Sequence, residues 1–171
     1  MKLTPTKYLA CFGLVILAAA LQFHSLRAQP AWPYAPPPML PADTSGNSQR
    51  AALNQVRTQV GWLQNATRTA PNYGAGGADV VYQQFQILRD MYNGFTRTLN
   101  PGQLNNGANE WAELSAGLDI IQESFAYYQQ DIEKGRPVGV ALKDLCQVMR
   151  EASQVWLQQF DRDCTRLRVG F

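Results

Sequence analysis

The sequence predicts an all-α fold: an up-down four-helix bundle, made of two antiparallel helical hairpins, behind a proline-rich extended N-terminal arm. Three observations lead there. Apolar residues recur at steps of three and four in four separate stretches. Clusters of Pro and Gly divide those stretches. No stretch carries strand signals, and four amphipathic helices with mostly short connections bury their stripes most simply as a bundle.

Residues 1–28 read as a secretory signal peptide. Lys2 and Lys7 give a positive start, the uncharged apolar run Tyr8–Leu21 follows, and Ala28 supplies a small residue for cleavage. The run has 14 residues, short of the roughly 20 that a spanning helix needs. The expected destination is periplasmic or extracellular; an uncleaved segment would instead leave the chain anchored. Cys11 stands ahead of most of the apolar run, so it does not fit a lipobox, where the cysteine follows that run. Loss of Lys2, Lys7 and Arg27 removes three cations and no acid, which turns the formal charge of +2 into −1. The near-neutral remainder gives no electrostatic case for nucleic acid. No second apolar run is long enough to span a membrane.

Residues 29–45 hold six of the ten prolines. Proline fixes φ and lacks a donor, so this segment favours extended polyproline II and serves as a spacer or as an arm carrying Trp32 and Tyr34.

Residues 46–171 form the expected helical domain. Leu53, Val56, Val60 and Leu63 make the stripe of a first helix, with Asn47 or Ser48 as its cap. The stretch "APNYGAGGAD" breaks the chain. A second helix presents Val81, Phe85, Leu88, Tyr92, Phe95 and Leu99. Asn100 before Pro101 is a helix-start signal, so the third helix begins there or after Gly107. Its seam, Trp111, Leu114, Leu118, Ile121, Phe125, Tyr128 and Ile132, steps strictly by three and four. Gly135 ends it and Pro137 restarts the chain, which forces the fourth helix back antiparallel. That helix carries Leu145, Met149, Ala152, Trp156, Phe160 and Leu167. The third and fourth helices are the longer pair, so one end of their hairpin is expected to project.

The only histidine, His24, lies in the leader. Its loss removes the usual axial ligand of haem, the Glu-x-x-His pairs of di-iron bundles and the base of a Ser-His-Asp or Cys-His catalyst. The acids of the third helix miss its seam, and Asp144 and Glu151 flank that of the fourth. "GAGGAD" lacks the P-loop lysine and follows a helix. The expectation is therefore no enzyme, no metal and no cofactor.

Cys146 and Cys164 are 18 residues apart with no Gly or Pro between them. On one straight helix that is five turns and about 27 Å of rise, against the roughly 7 Å between Cα atoms that a disulfide allows. Three arrangements follow: a broken helix with an intrachain bond, a bond between twin cysteines in a homodimer, or two buried thiols.

Trp111, Phe125 and Trp156 are either core or the lining of an apolar-ligand pocket between helices. Tyr127, one step off the seam beside Tyr128, marks a candidate contact edge. By elimination, the sequence predicts an exported, non-enzymatic bundle acting by contact with another protein or an envelope component. A small apolar-ligand binding or sensing bundle is the second expectation.

Overall fold

A computed structural model describes residues 46–170. The expected signal peptide and proline-rich arm lie outside them. The described residues are almost entirely helical and include no strand. The elements are α1 (Gly46–Thr69), a 3-10 segment (Ala70–Gly76), α2 (Gly77–Thr96), a short α3 (Pro101–Asn106), α4 (Ala108–Glu133) and α5 (Val138–Arg166). Four of the helices are long: 24 residues in α1, 20 in α2, 26 in α4 and 29 in α5.

The breaks follow local chemistry. Gly74 takes φ +56 inside the 3-10 segment, a conformation that costs a side chain and not glycine. Gly77 then opens α2 against the start of the 3-10 segment. A Cβ there would lie 2.2 Å from the Ala70 carbonyl oxygen, so only glycine lets the two backbones approach. The two starts expected for the third helix both occur, as separate helices. Asn100 Oδ1 accepts from the Gln103 backbone N–H and Gln103 Oε1 accepts from the Asn100 N–H, a capping box over Pro101. Gly107 then separates α3 from α4.

At the end of α4, Gly135 lies at φ +82. Its N–H donates to the Ile132 carbonyl, and the Arg136 N–H donates to the Asp131 carbonyl. That is a Schellman termination, and Pro137 holds the N-cap position of α5. The side chains from Glu133 to Val140 are all exposed, so this end of the hairpin extends beyond the core.

The core gathers the stripes. Val56, Val60, Leu63, Val81, Phe85 and Phe95 are completely buried. Trp111, Leu114, Leu118, Ile121 and Phe125 of α4 are buried, while Tyr128 and Ile132 are partly so. The buried face of α5 is wider than a seam and includes Leu142, Cys146, Ser153 and Asp163. It is wide because α5 meets two neighbours. Trp156 Nε1 donates to the Leu114 carbonyl of α4 at 2.8 Å. Arg57 of α1 reaches Asp161 at 2.8 Å, and Gln64 reaches Gln154 at 2.7 Å.

Candidate functional site

Cys146 and Cys164 are both buried and unbonded, and α5 runs through them without interruption. Burial pushes the Cys146 thiol up. It pushes Cys164 up to about 12, helped by Asp161 and Asp163 and opposed by Arg57. Two neutral thiols inside a helix interface are weak nucleophiles, because the thiolate is the reactive form. Cys146 is 2% exposed and Cys164 1%, the latter at the floor of a surface hollow beside Arg50 and Arg57, so a bond to a second molecule would require α5 to turn outward.

The three candidate pocket aromatics are all core. Trp111 and Trp156 belong to one ring cluster with Tyr92, Phe95 and Phe160. Trp156 stacks on Phe160 at 5.3 Å and 9°, and Phe95 meets Trp111 edge-on at 5.9 Å. Phe125 lies in another layer, edge-on to Tyr82 at 4.9 Å. The polar ends of the cluster are occupied. Tyr92 Oη donates to the Trp111 carbonyl at 2.8 Å, and Trp111 Nε1 to the Gln103 carbonyl at 3.1 Å. Among the described residues no buried side-chain nitrogen or oxygen lacks a partner.

Two hollows open on the surface, and none of these three aromatics lines them. One, of about 230 Å³, lies along α1 beside Trp62 and Met91. The other, of about 310 Å³, lies between Arg50 and Arg57 of α1 and Val169 and Gly170 at the chain end. Its arginines are engaged: Arg50 Nε donates to the Gly170 carbonyl and Arg57 Nε to Asp161.

Asp163 is the carboxylate that the seam argument missed. It is 5% exposed, and its Oδ2 accepts from Gln159 Nε2 at 2.8 Å, one turn back on α5. No group of three or more His, Cys, Asp or Glu side chains among the described residues is placed to hold a metal ion.

The outer face of the α4–α5 hairpin carries a different feature. Ile120, Tyr127, Val148 and Val155 are between 47% and 63% exposed. Within each helix the two residues are seven apart and so share one direction. Asp131 lies four residues after Tyr127 and eleven after Ile120. Asp144 lies four before Val148 and eleven before Val155. Steps of four and eleven return to nearly the same side of a helix. Arg136 bridges Asp131 and Asp144, so both pairs stand on the flank where the two helices meet. The contacts of Trp156 with Leu114 and of Arg166 with Glu110 set the register. They bring Ile120 level with Val155 and Tyr127 level with Val148. Tyr127, the candidate contact edge of the sequence, is exposed here; the three β-branched residues beside it were not singled out, although their seven-residue spacing is visible in the sequence.

The chain matches no family model, no curated protein and no solved structure.

Proposed function

We propose that this is an exported, non-enzymatic protein that acts by contact with another protein or an envelope component, on an up-down four-helix bundle. Four sets of contacts support the arrangement. Gln59–Gln84 and Gln49–Thr98 join α1 to the α2 side. Arg57–Asp161 and Gln64–Gln154 join α1 to α5. Tyr82–Phe125 and Tyr92–Trp111 join α2 to α4, and Leu114–Trp156 and Glu110–Arg166 join α4 to α5. In each set one residue number rises as the other falls, the pattern of antiparallel neighbours. Export rests on the layout of residues 1–28.

The outer stripe carries the functional reading. Val and Ile are weaker helix formers than Lys, Glu, Gln or Ala, so a helix surface built only for water has no use for them there. Covering each half-exposed side chain would contribute about 1 kcal/mol. A local preference broken without a packing return is the mark of a working surface.

The test is photo-crosslinking in the cells that make the protein, with a photoreactive phenylalanine analogue at position 120 or 155. Positions 90 and 93, exposed on α2, serve as controls. Protein adducts at 120 and 155, absent at 90 and 93, are expected. Adducts at neither stripe position would sink the reading.

A further inference from the structure

The surroundings of the stripe are acidic, and this narrows the partner. Three residues beyond Ile120 stands Glu123, and three beyond Val148 stands Glu151. The matching offset on antiparallel helices sets one carboxylate on each outer flank at mid-height. Glu113, seven before Ile120, extends the line. All three are exposed, and Glu151 accepts from the neutral Gln147. The nearby cations do not neutralise them. Arg136 is held between Asp131 and Asp144, Arg162 bonds Gln159 beside one end, and Lys134 stands at the other. The Glu110–Arg166 pair adds one charge of each sign, so six acids stand against four cations and the face stays negative.

Resting on the contact reading above, we propose that this face receives a cationic amphipathic helix from a protein partner. From Glu113 to Tyr127 the line covers about 21 Å, four turns of an incoming helix. Apolar side chains at i, i+3 or i+4, and i+7 of that helix would cover Ile120, Tyr127, Val148 and Val155. Lys or Arg on its two shoulders would meet Glu123 and Glu151. A second copy of this chain docked face to face would set those glutamates against each other, a like-charge contact that opposes pairing. An anionic lipid surface meets the same repulsion.

The experiment is a fluorescence-anisotropy titration of the full chain with labelled 18-residue helical peptides. One carries Leu on the apolar face and Lys elsewhere; the other replaces every Lys by Glu. The chain should bind the Lys peptide and not the Glu peptide. Glu123→Lys with Glu151→Lys should weaken the Lys peptide about tenfold and let the Glu peptide bind. Asp90→Lys with Glu133→Lys, the same charge change away from the face, should alter affinity less than about threefold. Ile120→Ser with Val155→Ser should also cost about tenfold. Equal loss in both charge-swapped pairs would mean general attraction and overturn the proposal. So would self-association in sedimentation that Val155→Lys abolishes, or binding to phosphatidylglycerol vesicles that the serine variants lose. Crosslinked protein at position 155 together with no peptide binding would overturn this inference and leave the contact reading standing; no adduct would remove both.

Discussion

Cys164 couples the interior to pH. Its folded thiol is pushed up to about 12, first by burial and then by Asp161, while an unfolded cysteine ionises near 8.5. The stability this thiol contributes is therefore complete below that unfolded value. It is lost as pH rises toward the folded one, because only the unfolded chain then sheds the proton. Cys146 shifts the same way, also by burial. The unfolding free energy from urea titrations should fall between pH 8 and pH 10, by up to about 1.4 kcal/mol per pH unit for Cys164. Cys164→Ala should flatten that fall; an unchanged slope would contradict the account. Arg168 offers a second residue-level test. It is the one described non-glycine with positive φ, at +53. Its N–H bonds the Thr165 carbonyl and the Val169 N–H bonds the Cys164 carbonyl, so it ends α5 in the position glycine prefers. Arg168→Gly should raise stability by about 1 kcal/mol, read as a melting temperature higher by about 2–5 °C.

The helices differ in how openly the sequence declares them. The seam of α4 was legible because one strict three-four pattern faces one interior. α5 was less so: it packs between α1 and α4, and a second strip holding Leu142, Cys146 and Ser153 is buried beyond the seam. Asp163 was missed although it lies on the seam, three residues past Phe160; its polarity hid a position that spacing alone would have found. The short α3 surfaced only as an ambiguity in where the third helix starts, because the same signal, Asn100-Pro101, opens a single capped turn. The connection from α1 to α2 gives the sharpest test at this scale. Gly77→Ala would drive a Cβ against the Ala70 backbone and the Leu142 side chain, and should cost about 1–3 kcal/mol. Gly94→Ala meets nothing within 4 Å in the last turn of α2 and should stabilise by about 0.5 kcal/mol. Urea unfolding of the two variants should move in opposite directions.

At the scale of the whole molecule, the described core is built of buried rings and aliphatic side chains, and the exterior is uneven. The ring cluster around Trp156 spends its polar ends on backbone carbonyls, and the α4–α5 face keeps four apolar side chains in water. Ile120→Ser with Val155→Ser should leave unfolding free energy within about 0.5 kcal/mol per site of the parent, since nothing in the core depends on them. Binding, and not stability, should register the change. The account turns on α5 being one helix and the interior being closed, so that function falls to the surface. Intact mass, taken unreduced and under both native and denaturing conditions on protein recovered from the cells that make it, tests this most directly. The expected result is one chain at its fully reduced mass, with nothing added in the native spectrum. A mass about 2 Da lower, the two thiol hydrogens lost to a disulfide, would mean that α5 breaks between Cys146 and Cys164. A small molecule retained in the native spectrum would mean that the aromatic interior opens to a ligand, and would contradict the surface account.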